Sequence, residues 1–426
     1  MTTLEAPPTT LRLVEDAPGR TPTTLAAHRR RHGAPPLSQI ATAPGRARLL
    51  GEIERSGLTG RGGGGFPSFA KLRLAQSSRR PGVLVVNAME GEPASMKDRF
   101  LVTHSPHLVL DGAEIAAAVV GSARIVLCVP DEAHGLAPVL ETALKERSIA
   151  GEPTTRFEIR PLPGRYVAGE ESALVAGVAG KRPLPSFRPD KSVPLTLARR
   201  PAIVHNVETL ANLALIARHG SVWFRRLGVS AAPGTRLVTI SGSVQRPGVV
   251  EVVTGTAIAE ILELARPLGP LQAVLVGGYG GSWIPRSDIS TPYAPQELHE
   301  IGASMGAGVL VALGTSSCGI AETARIACFM ATESAGQCGP CLFGLPAIAE
   351  DLQTIVHGEG DRRTLDRLLS RCGFIAGRGA CRLPDGVVRL VQSALRVFSA
   401  DLEAHLGGLG CAADVRPRTG RGGKRP

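Results

Sequence analysis

The sequence predicts an α/β domain followed by a small β-grasp-like module and a C-terminal helical bundle. Three observations carry this. From about residue 45 to 230, short β-rich apolar runs alternate with helical patterns, the mark of a sheet covered on both faces. From 231 to 318 the order becomes strand, strand, helix, strand. From 319 to 405 strand patterns disappear.

Each stretch has a local cause. In the first unit Gly82 to Asn87, Arg124 to Val129 and Arg156 to Leu162 read as strands, with Leu108 to Val120 and Glu132 to Lys145 as intervening helices. In the second, Arg236 to Val244 and Val249 to Val253 flank an Arg246-Pro247-Gly248 turn, followed by a helical stretch Ala257 to Leu264 and a strand Ala273 to Val276. In the third, Ile320 to Glu333, Pro346 to Val356, Thr364 to Arg371 and Gly386 to Leu402 all read as helices, which close most simply as a bundle. Residues 1–44, rich in Pro, Thr, Ala and Arg without periodicity, are expected to form a disordered arm, and 406–426 a basic disordered tail.

Composition narrows the function classes. A chain of 426 residues, 43% hydrophobic, exceeds one core. Its opening lacks a secretory pattern, and its best apolar run, Leu108 to Val129, is broken by Asp111, Glu114 and Arg124. A cytoplasmic protein without direct membrane insertion is expected. The formal charge of +11 is dispersed and aromatics are only 4%, so the stacking platforms of a nucleic-acid binder are missing. Eight cysteines in such a chain point to metal or redox chemistry rather than to disulfides.

Gly60-Arg61-Gly62-Gly63-Gly64-Gly65-Phe66-Pro67 fits a dinucleotide fingerprint, yet Arg46 to Arg55 before it is helical where that fingerprint needs a strand. The glycines still leave backbone N–H groups free for an anion, with a helix starting near Ser68 behind them; a flexible surface loop is the plainer reading. Asn87-Ala88-Met89-Glu90-Gly91-Glu92-Pro93 follows a buried strand, where α/β folds place ligands. Asn87 suits a flavin-like edge, and Glu90 and Glu92 suit ribityl or ribose hydroxyls, though a solvated acidic turn has the same composition. Tyr166 to Ser172, with Gly169, Glu170 and Glu171, and Val204 to Leu210 both open helices, so ordinary capping competes with a ligand role there.

Cys338 and Cys341 form a CxxC, and Cys381 returns about forty residues later. Zinc, a redox pair and an iron–sulfur cluster all use such spacing. No second CxxC or histidine pair lies nearby, so a cluster fits better than zinc. Cys128, Cys318 and Cys328 sit in apolar runs and read as core.

In this order, over about residues 45 to 400, these segments resemble the NADH-binding flavoprotein of respiratory complex I and the diaphorase subunits of hydrogenases and formate dehydrogenases. The resemblance implies FMN on the glycine loop (Gly60, Arg61, Gly62, Gly63, Phe66) and Lys71, with Phe66 stacking on the nicotinamide of NADH. It implies Asn87 and Glu90 at FMN, Glu92 at NADH, and Tyr166, Gly169, Glu170 and Glu171 framing the place where flavin and nicotinamide meet. Val204, His205, Asn206 and Thr209 would close over the FMN. Glu92 and Glu171 are the expected catalytic pair, acting by orienting the nicotinamide. Cys338, Cys341 and Cys381 would hold an iron–sulfur cluster.

The departures are specific. Ala335 stands where the family's ESCGxCxPC pattern has its first cysteine, leaving three thiolates for a [3Fe-4S] cluster or for a [4Fe-4S] cluster with another fourth ligand. Met89 replaces the acid of NADEGEP, His205 the first Asn of NNVET, and the adenine-stacking aromatics give way to Leu74 and to Arg188-Pro189-Asp190-Lys191. The expected function is that of an NADH dehydrogenase-type flavoprotein passing electrons from NADH through FMN and a cluster to other redox subunits. The alternative is an FMN and iron–sulfur protein that takes electrons from a ferredoxin-like carrier, to which the basic surface is suited.

Overall fold

In the computed structural model, which describes residues 2–3, 11–14, 22–76, 78, 80–131, 135–190 and 193–409, the first unit is built on a five-stranded sheet. Its order is Phe157–Leu162, Ile125–Pro130, Val83–Asn87, Arg200–Asn206, Leu195–Leu197. The first four strands run parallel. The fifth is an antiparallel hairpin partner, joined through Ala198 and Arg199 at φ of 49° and 61°, the left-handed pair that lets a two-residue turn follow the twist of its strands. Val83–Val86 and all of Ile125–Pro130 are buried, as strands covered on both faces should be. The helices Pro106–Val120 and Val207–Phe224 cover one face; Gly112 allows their backbones to touch, since a Cβ there would lie 1.9 Å from the Leu210 carbonyl oxygen. Glu171–Val178 covers the other face.

Two local readings change. Val204 to Asn206 end a strand, and the helix begins at Val207 with Asn206 as its cap, accepting from the Glu208 amide at 3.0 Å. The helix expected from Glu132 runs Leu136–Ile149, and 132–134 lie outside the described residues.

The second unit is a six-stranded sheet in the order Thr2–Thr3, Gly248–Val253, Thr235–Gly242, Val309–Gly314, Leu271–Val276, Ser282–Pro285, with the helix Ile258–Glu263. A strand that pattern reading missed, Val309–Gly314, lies at its centre, parallel to Thr235–Gly242 and antiparallel to Leu271–Val276.

The arm expected to be disordered packs on both units where it is described. Leu13 and Val14 are buried, and their amides and that of Arg12 donate to Glu251. Leu25–His32 is a helix whose His28 and Arg29 reach Asp111, a fully buried carboxylate that Arg147 and Arg218 also meet. The physical reason is neutralisation: a carboxylate buried inside an apolar helix is tolerated only when cations and donors come to it, and the arm supplies two. The parts at 1, 4–10 and 15–21 lie outside the described residues.

After Gly314 the described chain is helical: Gly319–Thr332, a π-helical turn Pro340–Gly344, Leu345–Val356, Arg362–Ile375, Leu383–Val397 and Ser399–Leu406. The single helix expected from Gly386 to Leu402 breaks at Phe398. That ring packs edge-on against Trp283 at 5.2 Å and over Gly319, where a Cβ would come within 2.3 Å of it. Cys128 and Cys328 are buried as expected, but Cys318 is only partly buried and caps Gly319–Thr332. Cys411 and the expected tail from 410 onward lie outside the described residues. Among the described residues no helix is long and apolar enough to cross a membrane.

Candidate functional site

Asn87 and Asn206 end neighbouring parallel strands in direct register, so their amides emerge together at the carboxyl edge of the sheet, where α/β folds bind ligands. The glycine loop lies over them. Thr59 bridges to Pro67, and the Gly60 amide donates to the Phe66 carbonyl at 2.8 Å, so the loop is closed by its own backbone. Gly63 and Gly65 take φ of 103° and 61°, which favour glycine. Gly62 packs on Asn206, whereas a Cβ on Gly64 or Gly65 would meet nothing within 4 Å; that side of the loop is an open cradle. Phe66 is 47% exposed beside it. Behind it, Ser68–Gln76 carries Lys71, whose ammonium pairs with Glu171, donates to the Val204 carbonyl at 3.3 Å and sits 6.0 Å from the Phe66 ring centroid.

Two further loops meet backbone to backbone. A Cβ on Gly91 would lie 2.7 Å from the Tyr166 Cα, and one on Gly169 would lie 2.6 Å from the Met89 oxygen. The Asn87 amide donates to the Gly169 carbonyl at 2.9 Å. The acidic turn is thereby fixed against the Gly-Glu-Glu turn. Glu92 accepts from the Tyr279 amide at 2.9 Å and from the Tyr166 hydroxyl at 3.4 Å, and burial pushes its carboxyl up to about 7.

Several expected ligand residues turn their side chains inward. Arg61 is buried, with its guanidinium on the Pro233 carbonyl at 3.2 Å; only its backbone faces the loop, and its amide is taken by the Thr209 hydroxyl at 2.9 Å. Both oxygens of Glu90 are occupied: the Ser95 hydroxyl and Asp98 amide donate to one, and the Arg99 amide to the other. Glu170 caps its helix, accepting the Ser172 and Ala173 amides at 2.9 and 3.1 Å. Unpaired helix-start amides compete for the nearest carboxylate, and here they win. His205 differs: it is buried, burial and then Lys71 push its pKa down to about 3, and its Nε2 has no hydrogen-bond partner among the described residues.

Lys97 and Asp98, which the sequence places just after the acidic turn without a ligand role, lie beneath the strand ends. Asp98 accepts from the Asn206 amide at 2.5 Å, and buried Lys97 lies 2.6 Å from Asp98 and 3.0 Å from Glu208. Burial opposes the Lys97 charge, and the two carboxylates overcome it and raise its pKa. Tyr279 was missed. The run Gly277-Gly278-Tyr279-Gly280-Gly281 was its available signal, since glycine clusters mark close backbone approach.

The cysteine loop brings the thiols of Cys338 and Cys341 into contact, and both lie close enough to Cys381 to help raise its pKa after burial. Amides of Ala380 and Cys341 hold Cys338 low against the opposing effect of burial; burial and the neighbouring Cys338 raise Cys341. Amides of Ala335 and Gly336 point at Cys341, and that of Leu383 at Cys381. Thiols that receive peptide N–H bonds are the donor set of an iron–sulfur cluster. Among the described residues no three His, Cys, Asp or Glu side chains close on a single ion, as a tetrahedral zinc site would require. The open glycine cradle, the remaining amide hydrogen of Asn87, Lys71 and the His205 nitrogen fit FMN in the same sense: they offer polar groups to a phosphate and to a ring edge.

Ligand-facing strand ends joined to a cysteine-bearing bundle define a cofactor-dependent electron-transfer protein. Residues 53–215 match the model of the Nuo51 FMN-binding domain, and residues 304–405 that of the NADH-ubiquinone oxidoreductase-F iron–sulfur binding region. The second F subunit of NADH-quinone oxidoreductase from Rhizobium meliloti (strain 1021) is 32% identical over 369 residues, covering 83% of this chain and 87% of its own. The NADH-quinone oxidoreductase F subunit of Streptomyces coelicolor is 31% identical over 410 residues, covering 93% and 91%. An NAD+-reducing [NiFe]-hydrogenase in the H2-reduced state aligns with TM-score 0.79 and 33% identity over 85% of this chain, which spans 63% of that hydrogenase chain. This chain belongs to the family of NADH-quinone oxidoreductase F subunits, and is an FMN and iron–sulfur oxidoreductase of that type.

Proposed function

We propose that the chain oxidises NADH at the glycine cradle and passes electrons to a cluster on Cys338, Cys341 and Cys381, and from there to other redox subunits. The observation that carries this is the convergence of three loops from distant sequence on one sheet edge: the glycine loop, the acidic turn and the Gly-Glu-Glu turn. Bound FMN supplies two-electron acceptance from a hydride donor and one-electron release to a cluster. The chain's own residues position. Exposed amides of Gly62 to Gly65 and the ammonium of Lys71 face the anionic and polar parts of the flavin. Asn87 keeps one amide hydrogen for the ring edge, its other being held by the Gly169 carbonyl, while Asn206 is occupied by Asp98 and by capping its own helix. Phe66 presents an open face to the nicotinamide.

Glu92 and Glu171 orient the nicotinamide, because hydride transfer between well-held partners needs geometry more than acid–base help. Glu171 does so while pairing with Lys71, which ties nucleotide and flavin positions together. The ferredoxin-fed alternative is not favoured, since relatives matching over most of their length are named for NADH. We place the protein in the cytoplasm, meeting a membrane only through partners.

Anaerobic purification with flavin and iron analysis, followed by NADH, tests this. Near-stoichiometric bleaching of bound flavin is the expected result. A flavin untouched by NADH and reduced only by a ferredoxin-like donor overturns it.

A further inference from the structure

Cys318 lies outside the site just described. It is the N-cap of the fourteen-residue helix Gly319–Thr332, and its sulfur accepts from the Ala321 amide at 3.3 Å. His405, on Ser399–Leu406, places Nε2 3.2 Å from that sulfur, while its Nδ1 lies 2.6 Å from the Leu409 carbonyl oxygen. A carbonyl oxygen only accepts, so Nδ1 carries the proton and Nε2 presents its lone pair to the thiol. An imidazole oriented in this way takes a thiol proton, and the helix-start amide stabilises the thiolate left behind.

Among the described residues two carboxylates lie near the pair. Asp401 accepts the Gly319 amide at 3.2 Å. Glu322, one turn along, is engaged by Arg325. Cys318 is partly exposed, whereas burial pushes the thiols of Cys128 and Cys372 up to about 12 and about 11. Nucleophile, base and orienting carbonyl thus converge from two separate helices, with no part of the FMN or cluster site involved.

We propose that Cys318 is a nucleophilic thiol with His405 as its base, and a site of oxidation by hydroperoxides. The thiolate sulfur attacks one peroxide oxygen; an S–O bond forms as the O–O bond breaks, and two electrons pass from sulfur to the peroxide. The departing hydroxide or alkoxide takes the proton held on His405, leaving a sulfenic acid and water or an alcohol. Oxidation removes the thiol contact that ties the last described helix to the first helix of the bundle. The far end of that first helix, Thr332, leads directly into the cysteine loop, so the modification acts on the segment that holds the cluster ligands.

The test uses the full chain with its cofactors. Iodoacetamide labelling near neutral pH, read by peptide mass spectrometry, should modify Cys318 about tenfold faster than glutathione in the same solution, the gain expected from a larger thiolate fraction. His405→Gln should remove that advantage, and hydrogen peroxide followed by dimedone should give a sulfenic adduct at Cys318 that Cys318→Ser lacks. Labelling of Cys318 in the unaltered chain no faster than glutathione, or no dimedone adduct there, overturns the proposal without relying on any variant to fold.

Discussion

The backbone amide of Tyr279 donates to the Glu92 carboxylate at 2.9 Å across a separation of 187 residues. This joins the second unit to the acidic turn of the first, so the geometry of the nucleotide side depends on a module in which the sequence placed no ligand.

Burial raises the Glu92 carboxyl from 4.5 to about 7 in the folded chain. The native state therefore holds this proton between those values while the unfolded chain releases it, and stability falls as pH rises through that window. The loss is on the order of 3 kcal/mol. Thermal unfolding at pH 5 and pH 8 should show Glu92→Gln melting with a smaller pH dependence than the parent; identical slopes would refute the assignment.

Gly278 has φ +94°, and a Cβ there would lie 2.8 Å from the Glu92 carboxylate. Gly278→Ala should displace Glu92 and raise KM for NADH while leaving flavin content intact. Steady-state kinetics beside a flavin assay separates the two.

Lys71 pairs with Glu171 and donates to the Val204 carbonyl beside the glycine cradle. Lys71→Ala removes the only predicted FMN ligand that carries a positive side chain into this cradle, a charge-assisted contact of roughly 1.5–3 kcal/mol. Flavin retained after gel filtration should fall about tenfold or more; unchanged flavin would place the FMN elsewhere.

The amide of Ala335 already points at Cys341, so a thiol at 335 would lie beside the existing three. Ala335→Cys is expected to convert a three-thiolate site into a four-thiolate one and hold iron at about four per chain through exposure to air, where the parent loses iron. Iron analysis with electron paramagnetic resonance of oxidised and reduced samples checks this.

Asp111, itself fully buried, is met by His28, Arg29, Arg147 and Arg218. Asp111→Asn leaves the three guanidiniums without their common carboxylate and should cost about 3–5 kcal/mol, read as a lower denaturant midpoint. An unchanged midpoint would mean that the arm's docking contributes little.

What the sequence determined by itself was whatever short-range rules govern. Strand runs such as Val83–Asn87 and helix periods such as Pro106–Val120 follow from hydrophobic spacing, and Gly57 closes Ala43–Ser56 in the left-handed conformation expected of it. The motif order carried the family resemblance. Tertiary structure decided which polar groups face a ligand. Glu90 and Glu170 carry the same carboxyl group as Glu92, yet nearby helix-start amides take their oxygens, while Glu92 is left to a distant tyrosine amide and to burial. The arm behaves likewise: its composition is that of a solvated segment, but the buried charge of Asp111, about eighty residues away in sequence, holds Leu25–His32 in place. A side chain's partner is set by which groups folding leaves unsatisfied within hydrogen-bond reach, and that competition is invisible until the chain is packed.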